Sequence, residues 1–267
     1  NAIIKNGVSA SMLCLYAMDQ IKFFETYVLG LKEEIIEETI ASSTIGNIVH
    51  DSLELIYKDY VGKRLKIGDF KKMKDKINTI VQSIIRNYVR EENIYKGKNI
   101  IIVETVKEYV KKVIELDQKT IEKGNGLKII AVEREFVNEI RNKGKKFKIR
   151  GKIDRIDELN GELRVIDYKS GKKLTQRNIT IKDSEELKKE KGIYNLQLLV
   201  YMLGIKEEFK EKTIKSGIIN LKNISEGVLE GVFNGKTVLN NTEMENYKNE
   251  IIKIITNILD TRKVFKN

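Results

Sequence analysis

The stretch Lys146–Gly171, KFKIRGKIDRIDELNGELRVIDYKSG, decides the reading of the chain. Two runs rich in β-branched residues flank Asn160-Gly161. Asn-Gly is the strongest short-range signal of a two-residue hairpin turn, because both central positions need positive φ. With that turn Leu159 faces Glu162, and counting outward sets Asp157 opposite Arg164 and Asp154 opposite Asp167. The first pair attracts. The second places like charges about 5 Å apart, which weakens a sheet unless a cation lies between them. Side chains alternate along a strand, so Lys169 shares the face of Asp167. One face of the hairpin thus carries two carboxylates and an ammonium.

Oxygen ligands without a cluster of Cys or His suit Mg²⁺ or Mn²⁺ better than zinc. A cation held by two carboxylates beside a lysine suits phosphodiester hydrolysis: the ion polarises a phosphoryl oxygen and acidifies a water, and the lysine steadies developing negative charge. An exposed hairpin with solvated charges is the plain alternative.

Composition narrows the field. The 267 residues can bury a sizeable core, and a hydrophobic content of 41% is ordinary for a globular chain. A net charge of +11 and pI near 9.3 would attract a polyanion, nucleic acid above all, although a Lys-, Ile- and Asn-rich composition produces such a charge without any partner. The single cysteine, Cys14, excludes an internal disulfide and a four-cysteine iron–sulfur or metal site, and suggests a reducing cytoplasm. No apolar run approaches the ~20 residues that span a bilayer, so no membrane partner is expected. The chain opens on Asn1, and residues 1–7 lack the features of a signal peptide, as expected of a domain excised from a longer protein or of a trimmed terminus.

In chain order, Val8–Leu31 reads as a core-packing helix capped by Ser11, followed by a charged stretch at Glu33–Glu38 and a capping cluster Ser42-Ser43-Thr44. Gly46–Tyr60 reads as a helix carrying His50, the only histidine; a lone histidine is more often structural than a ligand. Residues 62–125 read as a basic helical subdomain inserted ahead of the sheet. Leu127–Phe136 reads as a strand with Glu133 and Glu135, and Lys172–Lys191 as a long lysine-rich loop where a nucleic-acid backbone could pass. Gly192–Gly204 is an apolar helix with Gln197 and Tyr201 four apart on one face; Tyr201 reads first as core, and Gln197 needs a partner. Strands at Thr213–Leu221 and Gly227–Phe233 and an amphipathic helix at Asn241–Phe265 complete the chain, and no Walker A motif is present.

Gly151-Lys152-Ile153-Asp154-Arg155-Ile156-Asp157 followed by Asp167-Tyr168-Lys169-Ser170-Gly171 resembles the GxxDRxD and DYK(T/S)G motifs of the PD-(D/E)XK nuclease superfamily, in its RecB/AddB-type branch. The resemblance implies an α/β, restriction-endonuclease-like core: a mixed central sheet flanked by helices with a helical insertion. It further implies a single domain over 1–267 with a catalytic core at about 126–235. It gives His50, in a Gly-x-x-x-His pattern, a metal-binding role beside Asp154, Asp167 and the carbonyl of Tyr168. It makes Asp154, Asp167, Lys169 and Glu133 catalytic, with Glu135 the less favoured substitute for Glu133. Gln197 and Tyr201, similar to a QxxxY motif, would meet substrate together with Arg155. Asp19-Gln20 stands where some relatives have Cys-Pro, so no iron–sulfur cluster is implied. The function implied is a Mg²⁺- or Mn²⁺-dependent deoxyribonuclease, an exonuclease domain that processes DNA ends in repair and recombination, fused to or working with a helicase. A catalytically silent nucleic-acid-binding scaffold is the main alternative, and an RNA-directed or sugar-phosphate hydrolase a weaker one.

Overall fold

Asn160 and Gly161 both take positive φ, +52° and +90°, and the chain doubles back on itself between them. The pairs Leu159–Glu162, Asp157–Arg164 and Arg155–Ile166 form in the register that a two-residue turn demands. The computed structural model describes residues 6–31, 42–142 and 144–260. Strand β1 (Val8–Ser9) leads into helix α1 (Ala10–Met18), the short helix α2 (Gln20–Phe23) and a π-helical turn (Phe24–Val28). Four helices follow: α3 (Ser42–Lys58), α4 (Ile67–Ile85), α5 (Glu91–Ile94) and α6 (Lys98–Glu122). Then come β2 (Leu127–Asn142), β3 (Lys145–Leu159), β4 (Glu162–Lys169) and β5 (Thr180–Ile181). Helix α7 (Ile193–Ile205), strands β6 (Ile214–Asn220), β7 (Val228–Glu230) and β8 (Val232–Phe233), and helix α8 (Asn241–Leu259) close the described chain.

The sheet is mixed and built outward from β3. Strand β2 runs antiparallel along one edge of β3. The other edge is shared: β1 pairs in parallel at Ile149 and Arg150, and β4 pairs antiparallel from Arg155 onward, leaving residues 151–154 between them. Strand β6 adds to β4 in parallel and β7 to β6 antiparallel, while β5 and β8 form a separate pair. Helices cover both faces. Ile153, Ile156, Leu163 and Val165 pack with residues of α1, α7 and α8, whereas Leu127, Ile129, Ile166, Tyr168 and Ile219 pack with residues of α3, α4 and α6. The helices between residues 62 and 125 are thus one cover of the sheet, sharing a core with it. Among the described residues no helix is long and apolar enough to cross a membrane.

Some boundaries differ from the sequence reading. Ser9, rather than Ser11, caps α1, its Oγ accepting from the Met12 amide at 3.2 Å. The first helix breaks at Asp19, which is extended and whose side chain accepts from the Lys22 amide at 2.8 Å. An Asp that can cap a new helix competes with continuation of the old one. Gln20 then fills a first helical position, where proline also fits. Strand β2 continues to Asn142, six residues past the expected end, its alternation obscured by charged residues on an exposed side. Helix α3 begins at Ser42, so the Ser42-Ser43-Thr44 cluster lies in its first turn. The charged stretch 33–38 and the residues after 260 lie outside the described residues.

Behind the sheet lies a buried ion network that uses half of the DRxD motif. Arg155 is 1% exposed. Its Nη1 donates to Asp117 Oδ2 and its Nε to Asp157 Oδ2, each at 2.7 Å, and it stacks 5.1 Å from the Tyr57 ring centre. Tyr57 Oη donates to the same Asp117 oxygen at 2.5 Å, and Arg164 clasps Asp157 at 2.7 and 3.0 Å. Two arginines neutralise two aspartates there, tying α3 and α6 to β3 and β4. This corrects the expectation that Arg155 meets substrate, because the odd and even positions of a strand face opposite sides.

Removing one member of a buried, fully paired ion network leaves its partner charged and unpaired, at a cost of about 3–5 kcal/mol. Arg155→Met and Asp157→Asn are therefore each expected to lower the unfolding free energy by about that amount. Urea denaturation followed by circular dichroism measures it, and loss of activity in these variants should track loss of folded protein.

Candidate active site

The gap in the sheet at residues 151–154 is where the acidic side chains converge. The pairs Val132–Arg155 and Arg134–Ile153 on either side set Glu133 opposite Asp154 across β2 and β3. Arg155–Ile166 sets Asp154 next in register with Asp167 across β3 and β4. Three acids stand abreast on three neighbouring strands. Glu133 reaches this position with φ +48°, a left-handed conformation inside a strand that costs a non-glycine residue about 1–3 kcal/mol. Such strain persists only where the surroundings hold it.

Helix α3 brings His50 to the same place. Its Nε2 lies 3.1 Å from the carbonyl oxygen of Tyr168. A carbonyl only accepts, so Nε2 carries a proton in this contact, and Nδ1 faces Asp154 Oδ2 at 3.4 Å and Glu133 Oε1 at 3.9 Å. A histidine that gives one ring N–H to a backbone carbonyl and aims the other nitrogen at acids has the usual arrangement of a metal ligand. The Tyr168 carbonyl, expected on the metal, is thus engaged in orienting the imidazole. The Tyr168 amide donates to Asp154 Oδ2 at 2.7 Å, fixing that carboxylate as well.

Asp167, Lys169, Gln197 and Tyr201 form a second, contiguous group. Lys169 Nζ lies 2.8 Å from Asp167 Oδ2 and donates to Gln197 Oε1 at 2.8 Å. Gln197 Nε2 donates to Asp167 Oδ1 at 2.9 Å and lies 2.6 Å from the Tyr201 hydroxyl. The oddity of a glutamine in an apolar helix resolves here, since it clamps the acid and the lysine together. Asp167 Oδ2 is buried and accepts no aligned hydrogen bond despite its ion pair.

Electrostatics bind the two groups together. Burial alone would lower the His50 pKa, but the carboxylates of Asp154, Asp167 and Glu133 outweigh it and push the ring up to about 9, so a cation held by Nδ1 would have to displace a proton. Burial raises Glu133, reinforced by Asp154 against the pull of Lys152. Burial likewise raises Asp167, with Asp154 adding to the rise and Lys169 opposing it. Lys169 is raised because Asp167 overcomes the effect of its own burial. Cys14, whose thiol lies 3.3 Å from the Ile193 carbonyl, is pushed up to about 12 by burial.

Two residues of the site were quoted in the motif but given no role in the sequence reading. Lys152 Nζ lies 2.5 Å from Glu133 Oε2, so the two oxygens of Glu133 are divided between Lys152 and the His50–Asp154 side. The signal was available, since Lys152 precedes Asp154 by two and shares its face. Gly151 lies opposite Phe136, and a Cβ there would come within 2.7 Å of the Phe136 ring. That ring in turn meets Tyr201 edge to face at 6.3 Å. Arg155 stands apart, in the network on the far face of the sheet.

One ligand atom each from His50, Glu133 and Asp154 lies within 4.8 Å of the others, a candidate metal-binding group among the described residues. Hard oxygen donors, one oriented imidazole nitrogen and a strained Glu133 fit a divalent cation. Asp167 is turned instead toward Lys169 and Gln197, so Glu133 occupies the place in the compact group that the sequence reading gave to Asp167. A single cysteine offers no cysteine cluster. Mn²⁺ is expected to bind by isothermal titration calorimetry and to raise the melting temperature, and Asp154→Ala to abolish both effects. Glu133→Gly, which relieves the left-handed strain, should melt no lower than the native chain while losing Mn²⁺ affinity.

Known proteins resemble the chain along nearly its whole length. The family model of the PD-(D/E)XK nuclease superfamily matches residues 7–265. A curated relative from Clostridium perfringens, one of the subunits of an ATP-dependent helicase/deoxyribonuclease, is 27% identical over 288 residues, covering 98% of this chain and 23% of that one. The subunit of the same name from Clostridium tetani is 25% identical, covering 79% of this chain and 18% of its own length. That of Alkaliphilus metalliredigens is 28% identical over 62% of this chain and 16% of its own. The chain spans less than a quarter of the length of these relatives. With Asp154 and Asp167-x-Lys169 converging on the gap in a mixed sheet and the superfamily model matching nearly end to end, the chain belongs to the PD-(D/E)XK nuclease superfamily.

Proposed function

We propose that this chain is the nuclease unit of a helicase–nuclease that processes DNA ends, hydrolysing phosphodiester bonds with Mg²⁺ or Mn²⁺. One observation carries the reading: the cluster of His50, Glu133 and Asp154, within 4.8 Å of one another, stands beside the Asp167–Lys169 pair at 2.8 Å. The curated relatives belong to ATP-dependent helicase/deoxyribonucleases, which supports DNA as substrate and a helicase as companion. The net charge of +11 favours a polyanion. On this reading residues 1–267 act as one domain, with the helices between 62 and 125 as its subdomain, and it works in the cytoplasm.

His50 Nδ1, Glu133 and Asp154 would hold the cation, with Asp167 completing the set from the Lys169 side. When bound, the cation polarises a phosphoryl oxygen and makes a water acidic enough to attack near neutral pH. Lys169 orients that water and offsets negative charge developing on the phosphoryl group. Asp167 and Gln197 keep the ammonium in place and charged. Tyr201, joined to Gln197, would position the strand, and the Tyr168 carbonyl holds the imidazole. Lys152 restrains the outer oxygen of Glu133, so one Glu133 oxygen faces the ligand group.

The test is cleavage of labelled single-stranded DNA, duplex DNA and RNA with Mn²⁺. Asp167→Ala and Lys169→Ala are each expected to lower the DNA cleavage rate by at least ~100-fold while leaving DNA binding in place. A folded, Mn²⁺-loaded native chain that binds DNA and cleaves none of the three substrates would overturn the hydrolytic reading in favour of a binding scaffold. Faster cleavage of RNA than DNA would overturn the substrate.

A further inference from the structure

The segment after the Asp167-x-Lys169 strand, residues 172–192, holds only short turns and strand β5, yet it is fixed from below. Leu174, Ile179, Ile181 and Leu187 are each 0% exposed. Asn220 Nδ2 donates to the carbonyls of Lys169 at 3.1 Å and Lys172 at 3.0 Å, and its Oδ1 accepts from the Leu174 amide at 3.2 Å. Asn223 donates to the Leu174 carbonyl at 2.8 Å, and Asn195 to the Ile179 carbonyl at 3.2 Å. Three buried asparagines thus supply the bonds that a helix or sheet would otherwise have given this backbone. The segment is preorganised, and it starts three residues from Lys169.

Its outer side is basic. Lys172, Arg177, Lys182 and Lys191 line a cleft of about 780 Å³ together with Tyr194. Lys191 lies 2.9 Å from Glu186 and Lys172 3.6 Å from Glu190. Arg177 and Lys182 are exposed, and among the described residues neither side chain has a carboxylate partner. Tyr194 is half-buried against the cluster of Leu174, Ile179 and Leu198. It opens the helical face that Gln197 and Tyr201 continue at the next two turns, so the cleft and the catalytic group share one side of α7.

Unpaired cations on a rigid surface bind phosphates, and an available aromatic ring stacks an unpaired base. A duplex offers no free base face to such a ring. We propose that this cleft binds the single strand of nucleic acid adjoining the scissile bond, with phosphates on Arg177 and Lys182 and a base against Tyr194. Its place in a reaction rests on the nuclease reading; its affinity for the strand does not.

Binding is read without added metal, by fluorescence anisotropy of a labelled oligothymidylate of about 12 nucleotides across a salt series. The Arg177→Gln/Lys182→Gln double variant is expected to lose about tenfold in affinity, and its slope of log affinity against log salt should shrink by about 1.4, since each phosphate contact on a single strand contributes about 0.7. Tyr194→Leu should lose about fivefold or more with the slope unchanged. Lys71→Gln/Lys72→Gln, an equal loss of charge on exposed positions of α4, serves as the control and should bind as the native chain does. Melting curves establish that each variant is folded. Unchanged affinity and slope in the folded Arg177/Lys182 variant, or an equal loss in the Lys71/Lys72 control, overturns the proposal. So does duplex DNA of the same length binding as tightly with the same sensitivity to Tyr194→Leu. Cleavage by the native chain is scored separately: its absence counts against the nuclease reading and leaves the binding comparison intact.

Discussion

The opposite facing of Asp154 and of its neighbours Arg155 and Asp157 on β3 is the constraint on which the structure depends. Within four residues the strand sends Asp154 to the site and Arg155 and Asp157 to the interior behind it. The same backbone that aims the acid is therefore fastened by a buried arginine to α6 and stacked on Tyr57 of α3, the helix that delivers His50. A slip of one residue in register would turn Asp154 away from His50 and Glu133 and part Arg155 from Asp117. Two tasks of one short motif, position and chemistry, thus stand or fall together.

The site itself is costly for the fold. Three acids stand abreast, one of them on left-handed backbone, with His50, Lys152 and Lys169 among the described residues to offset their charge. Groups set against one another in this way raise each other's pKa and store strain, and an isolated sheet would relax by letting its strands part. The molecule prevents that from three directions. Backbone groups of Tyr168 grip both Asp154 and His50, Gln197 grips Asp167 and Lys169, and the Phe136 ring packs over Gly151, leaving no space there for a side chain. Rigid placement of charged groups before a substrate arrives is what makes electrostatic assistance effective.

Asparagines do comparable work in the irregular parts. Asn195, Asn220 and Asn223 each spend a buried side-chain amide on backbone carbonyls of the segment after β4. An irregular backbone can be as well determined as a helix when its polar groups are satisfied in this way, which lets a loop present charge at a fixed distance from the Asp167–Lys169 pair.

Much was legible in sequence because it is local. The Asn160-Gly161 turn needs positive φ at two consecutive residues, few alternatives satisfy it, and the facing pairs follow from counting. Gln197 and Tyr201 share a face because an α-helix repeats every 3.6 residues. Only the tertiary structure decided the rest. That Asp117 would neutralise Arg155, that Glu133 would stand against Asp154 through a left-handed residue, and that Asp167 would turn to Lys169 rather than into the compact ligand group all depend on contacts between distant positions of the chain or on charge balance. Local backbone preference fixes where a side chain starts; which charge it meets is set by what the packing of distant segments brings within reach.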